Sequence, residues 1–178
     1  MLETRREEIQ DNVEDLLKRC DLFSVPVDLE RIVEIYGINC VCTELDDDVS
    51  GFLVVEDKNS TIVVNELHHP NRQRFTLAHE LGHFFLHRKG DDQVFIDKKY
   101  AVYNRDSRSS SGVDEQEVEA NVFAASLLMP EGLVLDVLES YDLIDDADTM
   151  ILAKKFGVSL QALGFRLAKL GYEVGQDY

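Results

Sequence analysis

Arg72-Gln73-Arg74-Phe75-Thr76-Leu77-Ala78-His79-Glu80-Leu81-Gly82-His83-Phe84-Phe85-Leu86-His87 is the stretch whose reading decides the fold. Its apolar positions Phe75, Ala78, Gly82, Phe85 and Leu86 recur at helical spacing, which predicts a helix with a core-facing stripe. Thr76, His79, Glu80 and His83 fall off that stripe. Residues four apart on a helix stand one above the other, so His79 and His83 can grip one metal ion with Glu80 beside them, the His-Glu-x-x-His arrangement of zinc hydrolases. Gly82 weakens a helix interior by about 1 kcal/mol relative to Ala, so its place here predicts close approach of another chain segment. The competing reading is an amphipathic surface helix with incidental histidines.

The chain has 178 residues, enough for one domain with a core that needs no staples, so a bound metal is expected to be catalytic. The expected organisation is a single domain: an N-terminal helix over 1–24, a catalytic core over 25–130 and a C-terminal helical subdomain over 131–178. The opening residues lack the order of a signal peptide, and no apolar run is expected to reach the roughly 20 residues that span a bilayer, which predicts a cytoplasmic protein with no membrane partner. Three cysteines make no disulfide framework; Cys40 and Cys42 read as small buried hydrophobes before metal ligands. The net charge of −17 opposes strong direct nucleic-acid binding and suits a basic protein partner or plain solubility.

Working outward, Ile9, Val13, Leu16, Leu17 and Cys20 predict an amphipathic N-terminal helix. Residues 23–27 read as a linker, and Asp28 caps a short helix carrying Leu29, Ile32, Val33 and Tyr36 that Gly37 ends. Strands are expected at Ile38–Thr43, Gly51–Glu56 and Thr61–Asn65, the last two joined by a turn over Asp57–Ser60. An extended substrate is expected to pair with the strand ending at Asn65. Pro70 and Asn71 start the His79 helix and Gly90 stops it, with His68 and His69 solvated in the preceding loop. A short strand at Val94–Ile96 and a polar loop over Asn104–Gly112, suited to gating a cleft, precede a second long helix from Asp114 that Pro130 closes. Three further helices, Leu133–Tyr141, Ala147–Phe156 and Leu160–Leu170, complete the chain.

A catalytic zinc takes three protein ligands and keeps a position for water. His87 continues the stack, but a rise of about 12 Å separates it from His79, too far to share one ion. The extended metzincin pattern places its third histidine six residues after the second; here that position is Lys89. The remaining candidates are Glu115, Glu117 and Glu119. Glu117 shares a face with Ala120, Asn121, Ala124 and Leu128 and would be drawn inward, where a carboxylate wants a cation; the alternative is a capping box with Asp114, and Glu119 is the fallback ligand.

The words Arg72 to His83, Glu117-x-x-Ala120-Asn121-x-Phe123-Ala124-Ala125 and Leu127-Leu128-Met129-Pro130 resemble the ImmA/IrrE-type metallopeptidases, as do Val63-Val64-Asn65 and Pro26-Val27-Asp28-Leu29. The resemblance covers nearly all the chain after residue 25. It implies a zincin-like α+β fold, with the His79 helix and a glutamate-bearing helix packed on a small sheet and a helical tail behind them. It implies one Zn2+ per chain (Mn2+ or another divalent metal being the alternative) with Glu117 as the metal carboxylate. It also implies a protein substrate, a helix-turn-helix repressor or antitoxin, whose cleavage releases phage, mobile-element, stress or toxin–antitoxin genes.

In that scheme Glu80 is the general base, Asn121 orients a ligand, and Tyr100, Tyr103, Arg105 and His87 are candidate donors to the developing oxyanion. Two rivals stand beside it. One is a DNA-binding regulator using the helix-glycine-helix segment from Leu152 with Lys154, Lys155, Arg166 and Lys169; the other is a non-proteolytic, metal-dependent regulator.

Overall fold

The computed structural model describes residues 3–56, 59–88, 93–98, 110–139, 141 and 145–172. Helices α1 (Glu3–Arg19) and α2 (Leu29–Ile35) lead into strands β1 (Asn39–Thr43), β2 (Val49–Glu56) and β3 (Asn59–Asn65). Helix α3 (Pro70–Leu86) and strand β4 (Gln93–Lys98) follow, then helices α4 (Ser110–Leu128), α5 (Glu131–Leu138), α6 (Asp146–Phe156) and α7 (Leu160–Lys169). The architecture is α+β. The sheet runs in the order β1-β3-β2-β4, with β1 parallel to β3 and the other pairs antiparallel. Helix α3 lies between β2 and β3 on one side and α4 on the other, and α1 packs against α4.

That sandwich changes the reading of α3. Nine consecutive residues, Thr76 to Phe84, are buried, whereas Phe75, Phe85 and Leu86 of the expected core stripe are only half-buried. A surface helix with incidental histidines is thereby excluded. Covered by the sheet and by α4, the helix has no broad solvent face, so its polar residues are inside the protein.

Two glycines allow the layers to meet. A Cβ on Gly82 would lie 3.0 Å from Ala120 Cα and 3.1 Å from Ala120 O, so α3 and α4 cross backbone to backbone, as the sequence predicts for this residue. A Cβ on Gly51 would stand 2.5 Å from Val63 O and 2.6 Å from Thr76 Cγ2, so β2 holds α3 close at the other face. Asn65, fully buried, steadies the β1–β2 connection by donating to Val49 O at 2.9 Å and accepting from Leu67 N at 3.1 Å.

Several expectations are corrected. Strand β3 is central, paired on both sides, so its edge cannot receive a substrate; among the described residues the outer strands are β1 and β4. Cys40 and Cys42 are exposed, because β1 is an edge strand with all five residues exposed. The turn over Asp57–Ser60 is shorter, since Asn59 already pairs with Glu56. Helix α3 starts at Pro70 and His69 is exposed, both as expected, His69 Nδ1 also accepting from Asn71 N at 3.2 Å as the N-cap, but the helix ends at Leu86, before Gly90. Helix α4 starts at Ser110, inside the expected polar loop, so Asp114 is within the helix and cannot cap it. The rest of that loop lies outside the described residues.

The stretch Glu115–Leu138 has the length and apolar composition to cross a membrane, contrary to the expectation of no such run. Pro130 divides it between α4 and α5, and Phe123, Ala124, Leu127, Leu128, Leu133 and Val134 belong to the buried core.

At the C-terminal end, Ser159 caps α7 and Gly157 ends α6 in the left-handed conformation at φ 67°, as the sequence predicts. Arg166 is buried, its Nε donating to Met129 O at 3.1 Å, so it anchors α7 and is withdrawn from any nucleic-acid-facing surface.

Gly82 in α3 and Gly164 in α7 should respond to alanine with opposite signs. A Cβ on Gly164 would have nothing within 4 Å, so Gly164→Ala should stabilise by about 0.5–1 kcal/mol. Gly82→Ala has the backbone of α4 in its way and should destabilise by about 1–3 kcal/mol despite the better helix former. Urea unfolding of both variants checks this; a stabilised Gly82→Ala would contradict the tight crossing.

Candidate metal centre

Where α3 crosses α4, three side chains converge. His79 Nε2 is 3.0 Å from His83 Nε2, and the Glu117 carboxylate faces both, its Oε2 3.2 Å from His79 Nε2 and its Oε1 3.3 Å from His83 Nε2. Among the described residues this is the group of three or more His, Cys, Asp or Glu ligand atoms close enough to hold one ion. The spacing fits the chemistry. Four tetrahedral bonds of about 2.0–2.1 Å to zinc put neighbouring ligand atoms about 3.3 Å apart, and two imidazoles with one carboxylate are a donor set that divalent zinc favours. Each helix supplies its candidate ligands for a geometrical reason: the four-residue spacing stacks His79 on His83, and the Gly82–Ala120 crossing brings Glu117, one turn before Ala120, over them.

Electrostatics prepare the site. Glu117 is half-buried, with 37% of its side chain exposed, rather than fully drawn inward; partial burial raises its pKa, but the facing His79 and His83 outweigh it and hold the carboxyl down at about 2. Asn121 Oδ1 lies 3.2 Å from His79 Nδ1 and, being an acceptor, fixes the proton on Nδ1, leaving Nε2 with its lone pair toward His83 and Glu117. Glu80 follows His79 directly in the chain and is fully buried, without belonging to the group of His79, His83 and Glu117.

The other carboxylates and His87 are committed elsewhere. Glu119 accepts from Arg5 Nε and Nη2, both at 2.9 Å, in a two-bond clasp between α4 and α1. Glu115 is exposed. His87, a candidate oxyanion donor in the sequence, caps the C-terminus of α3 and is buried; its Nε2 donates to Gln116 O at 3.1 Å, so that proton is not available to a substrate. Burial, then the neighbouring His83, pushes the His87 pKa down. Tyr100, Tyr103 and Arg105 lie outside the described residues.

Sequence reasoning missed two neighbours of the centre. Phe95 on β4 stacks on the His83 ring at a centroid distance of 4.8 Å and an interplanar angle of 20°. Arg5 holds Glu119, two residues from Glu117, across 114 positions of sequence. Neither has a local signal: the first depends on the β2–β4 register that sets Phe95 opposite Leu53, the second on α1 docking against α4.

A family model described as the IrrE N-terminal-like domain, Peptidase_M78, matches residues 33–168. The chain is 30% identical over 114 residues to the uncharacterized immunity region protein 2 of Bacillus phage phi105, covering 64% of this chain and 66% of that protein. It is 38% identical over 88 residues to the radiation response metalloprotease IrrE of Deinococcus radiodurans, covering 48% of this chain and 24% of the relative. The IrrE of Deinococcus deserti matches at 39% over 88 residues, 48% of this chain and 28% of the relative. The matched region therefore spans about a quarter of the two IrrE proteins. In fold, the chain is similar to a Mycobacterium tuberculosis transcriptional regulator, with a TM-score of 0.58 at 18% identity over 91% of this chain and 46% of that one. With the family model matched from the end of α2 to the end of α7, and the His-His-Glu group assembled where α3 meets α4, this chain belongs to Peptidase_M78, the IrrE N-terminal-like metallopeptidase family.

Proposed function

We propose that the chain is a zinc-dependent endopeptidase in which His79, His83 and Glu117 hold one ion and Glu80 is the general base. The observation that carries this reading is the convergence of two imidazole nitrogens 3.0 Å apart on one carboxylate, whose two oxygens lie 3.2 and 3.3 Å from them, with the buried Glu80 next to His79 in the chain. A bound divalent ion supplies Lewis acidity, polarising a peptide carbonyl and lowering the pKa of water toward 7. Glu80 takes a proton from the attacking water on its carboxylate and delivers it to the leaving nitrogen. Asn121 keeps His79 in the ligating tautomer. The extended substrate pairs with β4, an outer strand of the sheet, whose Phe95 lies against His83.

The finer part of the proposal is the substrate: a helix-turn-helix repressor or antitoxin in the cytoplasm, cut to release the genes it controls. The ImmA/IrrE resemblance supports it, as does the likeness to a protein named for a phage immunity region. Direct DNA binding is the weaker reading, because the net charge is −17 and Arg166 of the supposed recognition helix is buried.

Two substitutions test the assignment of roles. Glu117→Ala should weaken zinc affinity more than tenfold, whereas Glu119→Ala, which loses only the clasp with Arg5, should keep the metal and cost stability. Metal titration of the two variants decides it, and the reverse ranking would move the ligand to Glu119. Glu80→Gln retains shape and hydrogen-bonding capacity but cannot take up a proton, so it should bind zinc normally and cut a genetically adjacent repressor about 10²–10⁴-fold more slowly. Cleavage by Glu80→Gln at the wild-type rate, seen on a gel, would sink the protease reading.

A further inference from the structure

A cavity of about 580 Å³ opens beside the metal centre and is lined by α3, α4 and the start of α7. It shares two residues with the neighbourhood of the centre: Asn121, whose Oδ1 holds His79, and Phe75, whose ring lies 6.3 Å from the His79 ring. Its floor is apolar, from Leu128 and Met129 to Val158. Small residues, Ala125 on α4 and Ala162 on α7, stand along its walls, and Phe165 rises from α7 with 70% of its surface exposed. Around Phe165 the cavity joins a second one of about 280 Å³ that continues between α4 and α7 past the exposed Val118. The two share Asn121, Ala125, Met129, Ala162 and Phe165, so they form one groove leading away from the metal centre.

The far end of the groove is cationic in its own lining, although Arg166 and Lys169 also border an adjoining cavity lined by Glu3, Glu7, Asp11, Glu14 and Glu131. Arg6 and Lys169 line it together with Arg166. Arg166 is engaged with Met129 O and faces Glu131 at 3.8 Å, but among the described residues Arg6 and Lys169 are in no ion pair within 4.0 Å. Burial, then the neighbouring Arg6 and Arg166, pushes the Lys169 pKa down, although Glu3 and Glu131 act to raise it. A carboxylate entering the groove would relieve that repulsion.

The apolar lining, the continuity with His79 through Asn121, and the cationic end together favour one occupant. Resting on the endopeptidase reading, we propose that this groove is the substrate-selecting site: it takes a bulky apolar side chain beside the scissile bond and an acidic residue of the same peptide at the Arg6–Lys169 end. Phe165 is the residue that grips the apolar side chain. An exposed phenylalanine contributes little to the core, whereas an aromatic ring over an apolar groove adds contact area to a bound peptide at small entropic cost. The volume, within the usual range for ligand pockets, accommodates more than one side chain.

The test separates binding from cleavage. A displayed library of random peptides is selected on the full-length, zinc-loaded Glu80→Gln protein, with parallel selections on the same protein carrying Phe165→Asp, Phe165→Leu or Lys169→Glu. Selected peptides should carry a Leu, Ile, Met or Phe followed or preceded within a few residues by Asp or Glu. Their affinity should fall at least tenfold with Phe165→Asp, stay within about threefold with Phe165→Leu, and lose the acidic preference alone with Lys169→Glu. Circular dichroism and zinc content should be unchanged in all three, since Phe165 and Lys169 are exposed and neither is a proposed ligand. Peptides without apolar enrichment, equal binding to Phe165→Asp, or no selection at all would overturn the proposal. So would a wild-type dimer that Phe165→Asp makes monomeric, because the groove would then be covered by a second copy. Selected peptides that bind through Phe165 but are not cut by the wild-type zinc protein would leave the groove standing and defeat the endopeptidase reading instead.

Discussion

The backbone-to-backbone crossing of α3 and α4 at Gly82 and Ala120 is the constraint on which the structure depends. Helix α3 is enclosed along nine consecutive residues, and among them it buries two imidazoles and the Glu80 carboxylate. An isolated charge in such a place costs on the order of several kcal/mol after relaxation, and polar groups there must find partners. Removing the Cβ at position 82 lets α4 come near enough to set Glu117 against both histidines and Asn121 against one of them. A cation placed among these groups answers the same electrostatic demand. Stability and chemistry therefore meet at a single contact, which a side chain at Gly82 would open.

Restraints farther out keep that contact in register. The Arg5–Glu119 clasp ties the first turn of α1 to α4 two residues beyond Glu117, and the His87–Gln116 bond ties the end of α3 to α4 one residue before it. At the other end of α3, Asn71 donates to Val158 O at 2.9 Å and Arg74 donates to Val27 O, so the helix is fixed both to the α6–α7 turn and to the segment before α2. Arg166 then pins α7 to the end of α4. This last bond gives the C-terminal helices a structural part, as the wall of the groove that opens at Asn121.

Much of this is legible in the sequence because the signals are local. The His79–His83 spacing, the Gly82 anomaly, the Asp28 and Ser159 caps and the Gly37 and Gly157 stops each act through neighbours within a few residues, and each is found in place. Helical phase points to Glu117, although its helix begins four residues before the expected Asp114. What periodicity cannot supply is enclosure. It places Thr76, His79 and Glu80 off the core-facing stripe, although all three are buried, and it assigns Cys40 and Cys42 to the core because edge position depends on strand order. The Phe95–His83 stack and the Arg5 clasp likewise come from tertiary docking, which no spacing encodes.

The central claim is that one divalent ion is held by a helix-borne histidine pair and a carboxylate from the crossing helix. Anomalous X-ray scattering at the zinc edge, from crystals of the zinc-loaded protein, tests it most directly. The account predicts one ion per chain, about 2.0–2.2 Å from His79 Nε2, His83 Nε2 and a Glu117 carboxylate oxygen. A fully loaded crystal with its zinc on Cys40 and Cys42 of the exposed β1 strand, or with no ion between α3 and α4, would contradict it.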